Sequence, residues 1–323
     1  MPGRRRSGDL LHLAASPDRA GPDRPPAPGH LNSSRRKKTM NPHVITAMPV
    51  PFTTTGALDL PAYRRAVTAV DPHVDGVLVA GTTGEFPALD DDERLELFAA
   101  TRDLIGPERT IAHLGHASTR QVIRLARATV DLGLRRSALI TPYYLPTDPA
   151  GVVDFYREVL DAVPGLELFV YLFPERTGLD VSPSVLTEIL ALPGIVGVKL
   201  SGAASETVAD YAGVLRSGQL LYSGNDATLP DVMAAGGHGV VSGVSSLFPT
   251  VFAALSAALC EGRGHDRIQS QAAELVALTG ANIRFLKAGL AARDGGDWAS
   301  RMSLPTPNSE TVNQIHDAVA SFT

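Results

Sequence analysis

Cysteine is almost missing from this sequence: of 323 residues, only Cys260 is a cysteine. A single thiol excludes a disulfide framework. It stands in the apolar run VFAALSAALC, so we expect a buried structural thiol in a protein of the reducing cytosol. Long apolar runs are missing as well. None reaches the roughly 18 to 20 residues needed to cross a bilayer, so we predict no membrane span.

An excess of positive charge is also missing, because 34 acidic residues outnumber 29 basic ones and give a formal net charge of -5. This balance argues against nucleic acid or an anionic membrane surface as a partner. The basic run RRKK at 35–38 is interpreted as part of a solvated tail. With 44% hydrophobic and 20% charged residues, the composition is that of an ordinary globular protein.

Residues 1–40 differ from the rest of the chain because they are rich in Pro, Arg, Gly and Ser. Such a segment buries too little apolar surface to offset its chain entropy, so we expect it to be disordered. Its LLHLAA stretch is too short for the apolar part of a signal peptide, so we predict a cytoplasmic protein. Met40, where the ordered pattern begins, is interpreted as the natural start, with a mis-called extension upstream.

From residue 43 onward, short apolar runs alternate with longer amphipathic stretches. The runs are rich in Val and Ile and end in Gly, Thr or Pro, as expected for strands buried on both faces of a parallel sheet. They lie at 43–52, 76–85, 110–117, 137–146, 167–174, 195–202, 219–226 and 237–248. The stretches between them carry helix signals: the acidic start of DDDERLELFAATRDLIG, Gly133 ending TRQVIRLARATVDLG, and Ser182-Pro183 opening SPSVLTEILAL.

Eight successive strand–helix units predict a (β/α)8 barrel, the TIM barrel fold, over residues 41–250. The rival is an open doubly wound sheet, but no strand is followed by G-x-G-x-x-G, and no G-x-x-x-x-G-K-[ST] is present. Residues 251–323 are predicted to form a C-terminal helical region outside the barrel. We expect its helices near 249–261, 265–290 and 308–321.

Polar residues gather at the carboxyl ends of the predicted strands, where the active sites of such barrels lie. Lys199 stands out because lysine is seldom buried without a partner, yet it lies inside the apolar run IVGVKLSG. One interpretation is a lysine whose stem packs while its head reaches solvent. The other is an amine that desolvation keeps neutral, so that it attacks a ketone or aldehyde and forms a Schiff base.

The residues around Lys199 each have two interpretations as well. Tyr171, on the neighbouring strand, is either a core aromatic residue or a general acid/base that moves protons during imine formation. Thr83 and Tyr144 would then relay the proton. Thr82 and Thr83, flanked by glycines, form either a simple turn or a site for a small anion such as a carboxylate. Arg176 is either part of a surface ion pair or a clamp on a second carboxylate.

Motifs for metals and cofactors are missing. His113 and His116 fall on opposite faces of the third strand, and no H-E-x-x-H spacing occurs, so we expect no metal site. No site for pyridoxal phosphate or another cofactor is evident, so the carbonyl that reacts with Lys199 would belong to the substrate itself. No G-x-S-x-G nucleophile elbow is present either.

Taken together, the motifs resemble those of one family. GTTGE, TPYY, YLFPERTG, GVK, SGND and GGHGVVS occur in this order, and the likeness spans about residues 43–320. In this the chain is similar to the dihydrodipicolinate synthase and N-acetylneuraminate lyase family of pyruvate-dependent class I aldolases. The resemblance implies a (β/α)8 barrel with C-terminal helices, no cofactor, and a homo-oligomer, usually a tetramer and otherwise a dimer.

The resemblance also implies catalytic roles. Lys199 would form the Schiff base with pyruvate, and Tyr171 would donate and accept protons. Thr83 would bind the pyruvate carboxylate and relay protons, with Thr82 beside it. Tyr144 would be the relay tyrosine that a neighbouring subunit inserts.

Two further residues concern the substrates. By the same resemblance, the backbone of Val241 would touch pyruvate, and Arg176 would hold the carboxylate of aspartate semialdehyde. Departures from the synthase pattern border the acceptor: Leu172-Phe173 replaces Asn-Val, Leu200-Ser201 replaces Glu-Ala, and Phe86-Pro87 replaces small polar residues. The resemblance therefore predicts the pyruvate half of the reaction more sharply than the acceptor.

The predicted function is a Schiff-base-forming lyase or synthase that condenses pyruvate with a carboxylated aldehyde, or cleaves its substrate to pyruvate. Dihydrodipicolinate synthase activity on aspartate semialdehyde is the first candidate. An aldolase or dehydratase acting on a 2-keto-3-deoxy sugar acid is the alternative within the family. A non-catalytic sensor that binds a 2-oxo acid is the alternative from another class. We predict no lysine feedback, because the polar residues of lysine-inhibited members are not evident.

Overall fold

The computed structural model describes residues 41–280 and 282–322, which contain a closed barrel of eight parallel strands in sequential order. The predicted disordered segment, with Met40, lies outside the described residues. The strands are β1 (His43–Ala47), β2 (Gly76–Val79), β3 (Thr110–His113), β4 (Arg136–Ile140), β5 (Glu167–Leu172), β6 (Ile195–Leu200), β7 (Leu220–Ser223) and β8 (Gly239–Ser242). Since β8 pairs with β1, the sheet has no free edge, and the predicted (β/α)8 barrel is confirmed.

Helices fill the connections between the strands and follow the last one. Within the barrel they are α1 (Leu60–Val70), α2 (Asp91–Ile105), α3 (Thr119–Asp131), α4 (Pro149–Ala162), α5 (Pro174–Thr177), α6 (Pro183–Leu190), α7 (Val208–Ala212) and α8 (Leu229–Ala234). After β8 come α9 (Pro249–Cys260), α10 (Asp266–Thr279), α11 (Ile283–Asp294) and α12 (Ser309–Phe322). The predicted C-terminal helices are therefore present, while the division of the chain at residue 250 stays a prediction.

Every predicted strand is present, but each ends before its apolar run does. The run predicted at 76–85, for example, is a strand only over Gly76–Val79. Beyond it the chain turns at Ala80 and Glu85, whose φ angles are 50° and 56°, and a strand does not continue through left-handed angles. Both residues are fully buried. The length of the apolar run thus reflects buried loops at the carboxyl end of the barrel rather than extended backbone.

The predicted helix ends are confirmed at three places. Asp90 caps α2 by accepting a hydrogen bond from the backbone N of Glu93, whose side chain accepts one from Asp90 N. Ser182 accepts from Val185 N at the start of α6. Gly133 follows α3 with a φ angle of 80°, a conformation that costs glycine little. Short-range chemistry of this kind is readable from sequence because both partners are close along the chain.

One C-terminal prediction is wrong in its extent. The single helix expected near 265–290 is two helices, α10 and α11. Gly280 takes φ 50° and ψ -155°, a conformation nearly confined to glycine, and this ends α10. Asn282 then caps α11 by accepting from Arg284 N.

The prediction that Cys260 is buried is also wrong, because the thiol is exposed at the end of α9. Successive helical residues are about 100° apart, so Cys260 lies roughly 200° from Ala258. The buried face of α9 passes through Pro249, Val251, Phe252, Leu255 and Ala258.

The apolar core has two layers. Side chains inside the barrel form the inner layer: Ile45, Ala47, Leu78, Ile111, Ala138, Phe169, Tyr222 and Val241. The outer layer lies between the strands and the helices. Successive strand residues point to opposite faces, so Leu78 faces inward while Val77 and Val79 face the helices. The prediction that the strands are buried on both faces is confirmed.

Within the described part of the chain, no single helix has the length and apolar character needed to cross a membrane. In these described residues, α10 and α11 taken together reach that length and composition, but they are bent by 107° relative to each other. The cytoplasmic location stays a prediction.

Candidate active site

Lys199 lies near the carboxyl end of β6 and points into the barrel. Its neighbours Val198 and Leu200 belong to the outer layer, so the alternation of the strand turns Lys199 inward. Only 5% of its surface is exposed. Its Nζ donates to Ser201 Oγ at 2.7 Å and lies 3.7 Å from the centre of the Tyr171 ring. No carboxylate in the described residues forms an ion pair with it.

Tyr171 stands next to this amine because β5 pairs with β6 so that Tyr171 aligns with Lys199. Tyr171 is 2% exposed, and its hydroxyl lies 3.1 Å from Thr82 Oγ1. The threonine that contacts Tyr171 is therefore Thr82 and not Thr83, to which the relay was assigned from sequence. Adjacent residues of a tight turn point in different directions. A β-carbon built on Gly243, after β8, would lie 3.5 Å from Thr83 Oγ1.

Tyr144 is separated from this group within a single chain. It is 87% exposed and its φ angle is 80°. Among the described residues, no hydrogen bond joins Tyr144 to Tyr171, Thr82 or Thr83. One copy of the chain therefore does not assemble the relay that the motifs imply.

Arg176 lies in the short helix α5 directly after β5. Its guanidinium is exposed and stacks over the ring of Phe173, 5.3 Å from the ring centre. Nowhere in residues 41–280 and 282–322 does a carboxylate pair with it. The surface ion pair considered from sequence is absent from these residues. The guanidinium is thus free to bind a carboxylate of a ligand.

Val241 is buried inside the barrel, with 5% of its surface exposed. The ladder aligns Lys199 with Tyr222 of β7, and Tyr222 with Gly239 of β8. Gly239 is therefore level with Lys199 across the sheet, and Val241 lies two residues closer to the mouth of the barrel. Its backbone lies on the side toward which the lysine side chain reaches.

Asp226, after β7, was not singled out from sequence as a site residue. It is 8% exposed, and its Oδ2 accepts from Ser242 Oγ at 2.8 Å and from Val244 N at 3.0 Å. Burial raises the pKa of Asp226 to about 6, although these hydrogen bonds and the Lys199 charge act to lower it. Asp226 thus ties the end of β7 to the end of β8. The sequence feature that points to Asp226 is the carboxylate of the SGND motif at the end of a predicted strand.

A buried ion pair between Glu85 and Lys287 of α11 fixes the loop after β2 from outside the barrel. Both side chains are almost fully buried and in direct contact. Glu85 also accepts from Met302 N at 2.8 Å, and Lys287 donates to Ala299 O at 2.8 Å. Burial lowers the pKa of Lys287 to about 8, while Glu85 acts to raise it. Sequence reasoning missed this pair because its members are 202 residues apart.

The two histidines considered as metal ligands, His113 and His116, make different contacts. His113 is fully buried in ring contact with Phe86 and Tyr171, and burial lowers its pKa well below the usual range. His116 accepts a hydrogen bond from Ser118 N. In the part of the chain that the structure describes, no group of three His, Cys, Asp or Glu side chains is arranged to hold a metal ion.

Comparison with known protein sequences identifies relatives along most of the chain. The model of the Dihydrodipicolinate synthetase family matches residues 40–294. The 4-hydroxy-tetrahydrodipicolinate synthase of Synechococcus sp. strain CC9605 is 32% identical over 287 residues, which are 86% of this chain and 94% of that protein.

Solved structures agree with this assignment. The dihydrodipicolinate synthase of Cyanidioschyzon merolae, solved with lysine bound, matches 88% of this chain and 99% of its own with a TM-score of 0.80 and 26% identity. A catalytic lysine mutant of the Ruminococcus gnavus sialic acid aldolase matches 87% and 96% with a TM-score of 0.80. At 19% identity, the match to the aldolase supports only a shared fold. The chain belongs to the Dihydrodipicolinate synthetase family, as its motifs predict, and is an enzyme of the class I lyases.

Proposed function

We propose that this enzyme forms a Schiff base between Lys199 and pyruvate, and that the resulting enamine adds to an aldehyde. The reverse reaction would release pyruvate. The observation that carries the proposal is the environment of Lys199, a buried amine that pairs with no carboxylate among the described residues and lies 3.7 Å from the centre of the Tyr171 ring. An amine with a free lone pair attacks a carbonyl carbon.

The chemical steps need only this amine and a group that carries protons. Nζ attacks C2 of pyruvate, the carbonyl oxygen leaves as water, and a protonated imine remains. Loss of a proton from C3 gives an enamine, whose C3 bonds to the aldehyde carbon while the aldehyde oxygen takes up a proton. Water then hydrolyses the imine, which releases a 4-hydroxy-2-oxo acid and free Lys199. We assign the transfer of these protons to the hydroxyl of Tyr171, a role that its contact with Thr82 supports.

The pyruvate carboxylate would bind where the loop after β2 meets the end of β8. Thr82 and Thr83 supply hydroxyl and backbone N–H groups in a short glycine-flanked turn, which suits a small anion. The proximity of Thr83 to Gly243 supports this position. The backbone of Val241 lies on the same side of the barrel as the Lys199 amine.

Aspartate semialdehyde is the first acceptor to test. The sequence relatives are named 4-hydroxy-tetrahydrodipicolinate synthase. The guanidinium of Arg176, which no carboxylate of the described residues pairs with, supports an acceptor that carries a carboxylate. An aldolase or dehydratase acting on a 2-keto-3-deoxy sugar acid is the alternative. A coupled assay with pyruvate and aspartate semialdehyde separates them, since a rate no better than the uncatalysed background would refute the synthase activity.

Trapping with borohydride tests the Schiff base directly. Incubation of the protein with pyruvate and borohydride should leave a carboxyethyl group on Lys199, because the imine forms with loss of water and borohydride then reduces it. The Lys199→Ala variant should show no adduct. Absence of an adduct with pyruvate and with other 2-oxo acids contradicts the proposal. Thermal stabilisation by pyruvate without an adduct would favour the non-catalytic sensor instead.

Tyr144 supports a proposal about assembly, namely that a second copy of the chain supplies this residue to the site. Tyr144 and Leu145 are 87% and 73% exposed, and Tyr144 takes a left-handed φ angle that costs on the order of 1 kcal/mol or more. Mixing inactive Lys199→Ala with weakly active Tyr144→Phe should restore activity, because one mixed site then contains both intact residues. No recovery after subunit exchange, verified by native mass spectrometry, would contradict the proposal.

A further inference from the structure

An aromatic wall, made of Phe86, Tyr143 and Phe173, stands beside Tyr171 at the carboxyl end of the barrel. Phe86 is buried together with Tyr171 and Ile140, and the half-buried Tyr143 and Phe173 pack against them. The ring centres of Phe86 and Tyr143 are 6.1 Å apart, as are those of Tyr171 and Phe173. The wall residues come from the connections after β2, β4 and β5, so three loops converge on one apolar surface.

This surface belongs to neither layer of the core. With Tyr171 and Ile140, the wall forms an apolar cluster separate from the barrel interior and from the layer beneath the helices. Apolar side chains that stay partly open beside a few polar groups are typical of ligand sites. Tyr171 also lies against the Lys199 amine. The wall therefore adjoins the place where a carbonyl compound bonded to Lys199 would react.

We propose that the aromatic wall selects an acceptor aldehyde with an apolar chain or an aromatic ring that ends in a carboxylate. The inference rests on the proposed function and narrows its acceptor. Arg176 supports the carboxylate, because its guanidinium lies over the ring of Phe173 and is unpaired within the described residues. A carboxylate on an acceptor that packs beside Phe173 would be within reach of this guanidinium.

The ring faces of the wall carry no conventional hydrogen-bond donor or acceptor for the hydroxyl groups of an acceptor aldehyde. Three carboxylates at this end of the barrel already have partners: Glu85 with Lys287, Glu175 with Ala203 N, and Asp226 with Ser242 and Val244 N. A sugar aldehyde would leave several hydroxyls without hydrogen bonds against the rings, and such unpaired groups weaken binding. The wall therefore counts against the sugar-acid alternative.

The inference is tested by the rates of condensation of pyruvate with different acceptors. We would use the full chain with 4-carboxybenzaldehyde and succinate semialdehyde as apolar acceptors, and with glyceraldehyde and tartronate semialdehyde as hydroxylated ones. The apolar acceptors should have a kcat/KM about tenfold higher or more, a ratio typical of discrimination by an apolar pocket. Aspartate semialdehyde, which carries the carboxylate but also a polar ammonium group, should fall between the two groups.

The Phe173→Val variant tests whether the wall causes the preference. It should lower the ratio of apolar to hydroxylated acceptors several-fold while borohydride still traps pyruvate on Lys199. The matched control is Phe285→Val, since Phe285 is a half-buried phenylalanine of α11 outside the wall, and it should leave the ratio unchanged.

The possible failures are distinct. Equal or faster rates with the hydroxylated aldehydes overturn the inference. So does a ratio that Phe173→Val leaves unchanged, or an adduct on Lys199 that reacts with none of the aldehydes. Absence of the pyruvate adduct is a different result, because it refutes the proposed function itself.

Discussion

At the scale of single residues, the hydroxyl of Ser201 holds the amine of Lys199. Ser201 is two positions after Lys199, so both side chains leave the strand on the same side, and Oγ accepts from Nζ at 2.7 Å. We expect Ser201→Ala to lower kcat/KM for pyruvate by about tenfold, because a positioned hydrogen bond near 1 kcal/mol is lost and the amine gains freedom. Steady-state kinetics measures this. A wild-type value for Ser201→Ala would show that the contact has no role in orienting the amine.

Asp226 gives a second prediction at this scale, concerning pH. Its folded pKa of about 6 lies above the usual 3.8, so below pH 4 the folded protein gains stability from keeping the proton. That gain is lost as the pH rises through 6, and amounts to about 2 to 3 kcal/mol. The free energy of unfolding of the wild type, relative to Asp226→Asn, should therefore fall between pH 4 and 7. Urea unfolding at several pH values measures it, and parallel pH profiles would contradict the prediction.

At the scale of secondary structure, the strand that carries Lys199 requires a glycine at position 197. A β-carbon at Gly197 would lie 2.0 Å from the carbonyl oxygen of Leu220, in the strand that pairs with β6. No alanine fits there unless the β6–β7 ladder shifts, and Lys199 would shift with it.

We expect Gly197→Ala to destabilise the protein by about 1 to 3 kcal/mol, as overpacking does, and to slow Schiff-base formation. Denaturant unfolding and borohydride trapping measure the two effects. Gly213→Ala is the matched control, because a β-carbon there meets only ordinary contacts of 3.4 Å and more. Equal stabilities of the two variants would show that the ladder accommodates the methyl group.

At the scale of the whole molecule, the Glu85–Lys287 pair connects the C-terminal helices to the loop that carries Thr82. Removing one partner leaves the other charge buried without compensation, which costs about 3 to 5 kcal/mol. We expect this loss of unfolding free energy for Lys287→Met, together with a lower kcat, since the loop after β2 is no longer fixed.

The double variant Glu85→Gln/Lys287→Met should recover part of the stability, because no unpaired charge remains. The exposed pair of Asp154 and Arg157 provides the control, and Arg157→Met should cost at most about 1 kcal/mol. If Lys287→Met were no more destabilising than Arg157→Met, the buried pair would not support the loop.

The sequence by itself determined the features that depend on local pattern and strand order. Apolar runs rich in Val and Ile predicted all eight strands, capping residues predicted helix ends, and the rule that active sites lie at strand ends predicted that Lys199, Tyr171 and the GTTGE loop share one site. Only the tertiary structure decided which threonine meets Tyr171, because adjacent residues of a turn differ in direction and not in composition. It alone paired Glu85 with Lys287, exposed Cys260, and ended α10 at Gly280. Each of these depends on contacts or backbone angles that residue spacing does not encode.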